Sequence, residues 1–201
     1  MWEPIRQGEK SHLWRMPDGR RATTIRPEPA GVLSGSFDPL HRGHRELRDA
    51  AENWLIGPVF YELTVANADK PPLDAETIEA RLQQFDEHPV WVTNAPTFLR
   101  KAELLPGVVF VVGADTAERI VSPRFYDQEL AKMQSALAAI RGLGCRFLVA
   151  GRFYAGQFRT RRKFAIPSEF EDLFEMLPES EFRYDISSTE LRGRKGKPTD
   201  S

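Results

Sequence analysis

Residues 31–51 read GVLSGSFDPLHRGHRELRDAA. A short apolar run, a Gly-Ser-Phe-Asp-Pro turn and a helix-like stretch follow one another without a gap. Gly35 removes side-chain bulk where a ligand could approach the backbone. Asp38-Pro39 shapes a turn. A helix starting behind it offers unpaired N–H donors and a positive dipole end, which together make an anion site. His41 and His44 are two of the four histidines in the chain. They stand three apart, so both can face one anion, and Gly43 keeps that surface uncrowded. By itself the stretch fits an ordinary helix start, a metal site or a phosphate site. Zinc would need further ligands at suitable spacing, but Cys145 is the single cysteine and His12 and His88 stand in unrelated contexts. Two familiar phosphate loops are absent: there is no Gly-x-x-x-x-Gly-Lys-[Ser/Thr], and GLGCRF lacks the third glycine of a dinucleotide fingerprint.

Outward from this stretch, strands alternate with helices. AGVLSG reads as a buried strand, and RGHRELRDAAENWLI as a helix with Leu47, Ala50, Ala51, Trp54 and Leu55 on one face. PVFYELTVA is a strand and NADKPPLD a loop stiffened by Pro71 and Pro72. Asp74 is placed to N-cap a helix striped by Ile78, Leu82 and Phe85. PVWVTNA is a strand, PTFLRKAELL a short helix and GVVFVVGAD the clearest buried strand. YDQELAKMQSALAAIRGLG is a helix with Leu130, Met133, Leu137 and Ile140 at helical spacing, stopped by Gly142 or Gly144. CRFLVAGR is another strand, PSEFEDLFEMLP a helix, FRYDIS a last short strand and STELRGR the opening of a final helix. The alternation predicts an α/β domain, a doubly wound parallel sheet covered on both faces. Residues 1–29, broken by four prolines, are expected as an irregular extension anchored by Trp2 and Trp14. The domain proper spans residues 30–195, and residues 196–201 form a frayed tail. In such sheets ligands bind outside the carboxyl ends of the strands. The residues to watch are therefore Ser34 to His44, Asn67 to Lys70, Gly113 to Asp115, Arg152, and Ser187 to Arg192.

The totals set wide limits. With 201 residues, 41% of them hydrophobic, the chain can bury a substantial core. Twenty-eight basic residues against 29 acidic ones leave a net charge of -1, which singles out no partner. Cys145 lies in an apolar run and reads as a small core residue, in keeping with a reducing cytosol. No apolar run approaches the roughly 18 residues of a membrane span, and the first thirty residues lack the apolar segment of a secretory signal. A cytoplasmic protein with no membrane partner is expected. GRFYAGQFRTRRKF, residues 151–164, interleaves basic and aromatic residues. It reads as a loop with a solvated basic face, with closure over substrate phosphates or single-stranded nucleic acid as alternatives. A nucleic-acid partner is not the favoured expectation, and a homo-oligomer is compatible with the sequence.

The second informative stretch is DISSTELRGR, residues 185–194. Ser187 and Glu190 have capping-box spacing. Ser188 and Thr189 add hydroxyl donors and Arg192 follows within a turn, a combination suited to polyphosphate. GSFDPLHRGH resembles the Gly-x-Phe-Asp-Pro-x-His-x-Gly-His signature of the HxGH nucleotidylyltransferase superfamily. ISSTELR resembles its Ile-Ser-Ser-Thr-x-x-Arg signature, and VVGADT looks like the Gly-x-Asp element of nicotinamide or nicotinate mononucleotide adenylyltransferases. The resemblance spans about residues 30–195 and implies a Rossmann-like fold. It implies transfer of AMP from ATP to a mononucleotide phosphate, with Mg²⁺ accompanying ATP and no metal held by protein side chains.

Residue by residue, the resemblance gives His41, His44 and Arg192 the catalytic roles, with His44 stabilising the transition state. Ser34, Gly35, Ser36, Phe37, Gly113, Asp115, Ser187, Ser188 and Thr189 would bind nucleotide; Lys70, Thr97 and Arg152 would contact the acceptor. The tryptophan that often follows the Gly-x-Asp element is missing, leaving Phe125 or Tyr126 in its region, and NADKPPL departs from the Pro-x-His-Lys pattern. Cytidylyltransferases usually carry Leu where Pro39 stands, and phosphopantetheine adenylyltransferases usually lack the first histidine. The balance favours ATP and a pyridine mononucleotide.

Overall fold

The computed structural model describes residues 2–66, 71–154, 157–159 and 166–182; for 152–154 and 157–159 it describes the backbone. The chain begins with helix α1 (Glu3–Arg6) and strands β1 (His12–Arg15) and β2 (Arg21–Ala22). The decisive stretch forms β3 (Gly31–Ser34) and α2 (Arg42–Leu55). Then come β4 (Val59–Thr64), α3 (Ala75–Leu82), β5 (Val90–Thr93), α4 (Phe98–Leu104), β6 (Val109–Gly113), α5 (Ala114–Ile120), α6 (Leu130–Gly142), β7 (Arg146–Ala150), a hairpin of β8 (Arg152–Tyr154) and β9 (Gln157–Arg159), and β10 (Phe174–Leu177).

Among the described residues, eight strands form one sheet in the order β10-β7-β6-β3-β4-β5-β1-β2. The six from β10 to β5 are parallel. Counted in chain order, with the small hairpin set aside, they run 3-2-1-4-5-6, the doubly wound Rossmann order, with its switch point between β3 and β6. Alternate residues of the central strands face two separate cores. Leu33, Tyr61, Leu63 and Val111 pack with Leu47, Ala51, Ile78 and Leu82 of α2 and α3. Val32, Phe60, Phe110 and Phe147 pack with Ala102, Ala117, Met133 and Leu137 of α4, α5 and α6. The sheet is thus covered on both faces, which is why its strands read as near-continuous apolar runs.

The N-terminal segment differs from the irregular extension expected. β1 pairs antiparallel with β5, and β2 with β1, so the sheet is mixed at this edge. Trp14 stacks on Trp91 with centroids 5.9 Å apart, and Trp2 is fully buried; the two tryptophans anchor the segment, and their burial outweighs the local breaks at proline.

The helix expected over residues 167–178 is instead a 3₁₀ turn (Ser168–Leu173) followed by β10. Pairing with the exposed edge of β7 decides the conformation, and that non-local partner is invisible to periodicity. Trp54, expected on the apolar face of α2, is 37% exposed and donates from its indole nitrogen to Glu175 at 2.9 Å. Leu130, the first residue of α6, is also exposed, while Met133, Ala136, Leu137 and Ile140 carry the buried face. Part of the basic segment expected as a loop pairs as β8 and β9. Residues 183–201, including most of the strand expected in FRYDIS and the final helix, lie outside the described residues.

Candidate active site

β3 ends at Ser34 and β6 at Gly113, so the two sides of the switch point open beside the turn 35–41. This turn is built around one buried aromatic ring. Phe37 has φ +45° and is 1% exposed. Its ring meets His44, Tyr61 and Phe85 edge-on, at centroid distances of 5.1, 5.4 and 5.1 Å. A Cβ at Gly35 would stand 2.9 Å from that ring. The space on the Cβ side of Gly35 is therefore filled by the Phe37 ring. The Gly35 N–H is tied to the Glu62 carbonyl at 3.1 Å, Ser36 is exposed, and Ser34 Oγ is buried without a hydrogen-bond partner among the described residues.

The two histidines form a reciprocal cap. His41 is the N-cap of α2, and its carbonyl accepts from the backbone N–H of His44 at 2.9 Å. The His41 N–H in turn donates to His44 Nδ1 at 3.3 Å. The imidazoles stack at 3.8 Å with 25° between their planes. With Nδ1 as acceptor, a neutral His44 ring carries its proton on Nε2, which is then a donor. The sequence places the pair one helical turn apart, and the cap and the Phe37 ring fix their orientation. Stacked imidazoles, helix N–H groups and the dipole of a fourteen-residue helix together favour negative charge at this point.

The other candidate residues are distributed around the carboxyl edge. Asp115 is exposed in the first turn of α5, directly after Gly113. Thr97 N-caps α4, with its side chain accepting from the Arg100 N–H at 3.3 Å. Arg152 opens β8, opposite Arg159. Lys70, Ser187, Ser188, Thr189 and Arg192 lie outside the described residues, so their place relative to the histidines is not part of this geometry.

Two groups near the site were not anticipated. Glu62, on the α4-facing side of β4, is fully buried and receives Thr93 Oγ1 at 2.6 Å, Thr64 Oγ1 at 2.5 Å and Lys101 Nζ at 2.8 Å. Glu62 sits inside the apolar run PVFYELTVA, and a carboxylate in a strand with two buried faces is a legible signal of such a network. Lys101 gives no comparable signal on a short helix. The second group is Arg81 and Gln84, whose side chains reach from α3 and the residues just after it to the turn; sequence spacing does not bring the two segments together.

A 3-2-1-4-5-6 sheet with a histidine-bearing turn at its switch point defines a doubly wound α/β protein whose candidate ligand site lies at that turn. The cytidylyltransferase-like family model matches residues 32–194, and the chain belongs to that family. Over 104 aligned residues it is 34% identical to a protein of Roseobacter denitrificans named "Probable nicotinate-nucleotide adenylyltransferase", an alignment covering 44% of this chain and 52% of the relative. The chain thus spans about half the length of the curated relative it matches. Family and relative together support a nucleotidyltransferase. Among the described residues no helix is long and apolar enough to cross a membrane.

Proposed function

We propose that the protein transfers AMP from ATP to the phosphate of a pyridine mononucleotide, releasing pyrophosphate. The observation that carries this reading is the reciprocal cap: two stacked imidazoles at a helix N-terminus, at the switch point of a Rossmann-order sheet. The acceptor phosphate carries close to two negative charges near neutral pH and needs no general base. One of its oxygens bonds to the α-phosphorus of ATP as the bond from that phosphorus to the pyrophosphate oxygen breaks. The barrier is crowded negative charge, and fixed donors relieve it. His44 Nε2–H, His41 and the first N–H groups of α2 supply such donors. Arg192, with Ser187, Ser188 and Thr189, would hold the β- and γ-phosphates. Asp115 would lie by the nucleotide sugars, and Lys70, Thr97 and Arg152 would meet the acceptor.

The turn offers nitrogen donors, and its one carboxylate, Asp38, is paired with Arg81 at 3.3 Å. That donor set suits a magnesium ion carried by the phosphate oxygens of ATP, where it would neutralise charge on the leaving group. The name of the Roseobacter relative favours nicotinate mononucleotide as acceptor. A cytoplasmic setting follows from this role in making a dinucleotide cofactor.

The test is incubation with ATP, Mg²⁺ and a panel of acceptor phosphates, detecting pyrophosphate and the dinucleotide. A His44→Ala variant is expected to keep the fold and turn over at least ~100-fold more slowly, the lower end for losing a transition-state donor. If every acceptor fails to yield pyrophosphate, the reading is wrong; unchanged turnover in the variant removes His44 from its role.

A further inference from the structure

A bulky residue at φ +45°, as Phe37 is, is strained and persists only where its surroundings over-determine it. Burial of the Phe37 ring is one support. The other comes from a different element. Gln84 Nε2 donates to the Phe37 carbonyl at 3.0 Å, while Gln84 Oε1 accepts from the Leu40 N–H at 2.7 Å. One side-chain amide thus spans Asp38-Pro39 and fixes the backbone on both sides. Arg81 donates to the Ser36 carbonyl at 3.0 Å and pairs with Asp38 at 3.3 Å. Gln84 Nε2 also donates to the Arg81 carbonyl at 3.1 Å, which couples the two clamps. Four of the five residues from Ser36 to Leu40 are held, and Pro39 has no N–H to offer. His41, the N-cap of α2, follows immediately.

We infer that Arg81 and Gln84 are positioning residues, which hold the turn and His41 in the geometry that receives ATP phosphate. The inference rests on the nucleotidyl-transfer reading above. Neither residue needs to touch ATP; both act through the backbone of 36–40. A hydrogen-bonded support from a separate segment of the chain is what pre-organisation of a binding turn requires, since a 1 Å misplacement can cost about 100-fold in rate. Ile78 and Leu82 already dock α3 into the core at 0% exposure, so the polar contacts to the turn are additional to those that fold the helix.

The test uses Gln84→Leu, which keeps the volume and loses both bonds to the turn along with the bond to the Arg81 carbonyl, together with Arg81→Met and Arg81→Lys. Three quantities are measured in each full-length variant: amide hydrogen exchange at residues 36–41, steady-state pyrophosphate release with ATP and acceptor varied separately, and global stability. In Gln84→Leu, exchange at Leu40 is expected to rise and kcat/KM for ATP to fall roughly 10- to 100-fold. The acceptor KM should stay within about twofold, because disturbance is confined to the turn. Arg81→Lys should recover part of what Arg81→Met loses. Faster exchange with unchanged ATP kinetics would make the clamp merely structural and overturn the inference, as would unchanged exchange. A wild-type chain that releases no pyrophosphate defeats the activity reading instead. The clamp is then judged by ATP affinity, and an affinity equal in wild type and Gln84→Leu, or no ATP binding in either, overturns it.

Discussion

Replacing Lys101 by Met should destabilise the fold by about 3–5 kcal/mol, the usual cost of removing one partner of a buried ion pair. Glu62 has no exposure and its Oε2 accepts from the lysine at 2.8 Å; Thr64 and Thr93 both donate to Oε1. Methionine fills most of the lysine's volume, so the loss is electrostatic rather than a cavity. The carboxylate keeps two hydroxyl donors but loses its counter-charge and cannot reach water. For a chain of this size the expected fall in Tm is roughly 6–20 °C. Urea denaturation of wild type, Lys101→Met, Glu62→Gln and the double variant would close a thermodynamic cycle. The double variant retains a neutral amide acceptor for both threonines and should be more stable than Lys101→Met, with a coupling of about 0.5–3 kcal/mol. If Lys101→Met lies within about 1 kcal/mol of wild type, the pair is not the closed, water-free network described and the cited cost does not apply.

Two further outcomes follow from single positions. Gly35→Ala places a methyl 2.9 Å from a ring enclosed by His44, Tyr61 and Phe85; a loss of about 1–3 kcal/mol in thermal or urea unfolding is expected from overpacking, and a neutral result would mean the ring yields freely. His88 has its pKa lowered, first by burial and then by the Arg48 charge. The folded state thus binds that proton less tightly than the unfolded chain, so this contribution to stability is present above the ordinary histidine pKa and is lost as pH falls through the lowered one. An NMR titration should place His88 below a free histidine, and His88→Asn should flatten this part of the stability–pH profile; a His88 titrating at or above the free value contradicts the sign.

Much of the central fold was legible because its information is local. The strand runs at 31–34, 59–64, 90–93, 109–113 and 146–150 lie where apolar continuity predicts them, and Asp74 caps α3 through its bond to Thr77 N at 2.7 Å. What sequence could not show depends on partners distant along the chain. Phe174 and Leu177 suit a helix or a strand equally until β7 offers an edge. β1 and β2 are too short to stand alone, and Trp91 supplies the surface that orders them. The same division holds at the site. The spacing of His41 and His44 indicated that the two rings could lie together, while their stacking, the ring behind Gly35 and the clamps from Arg81 and Gln84 are products of tertiary packing.

The segment before β3 has a reach that its position outside the family match, which begins at residue 32, conceals. Trp2 Nε1 donates to Glu79 at 2.8 Å, Arg6 Nε to the Leu73 carbonyl at 2.9 Å and Arg15 to the Phe85 carbonyl at 2.5 Å. One of these tethers grips α3 itself and the other two hold the residues just before and just after it, while Arg81 and Gln84 of the same segment hold the turn before His41. A version trimmed to the shared unit would retain both histidines while losing the guy-ropes of the strut behind them. It would also bare the β5 edge now sealed by β1, inviting self-association. Anyone shortening this protein for crystallisation or grafting its turn onto another scaffold would have to carry residues 2–22 along, or build a replacement brace.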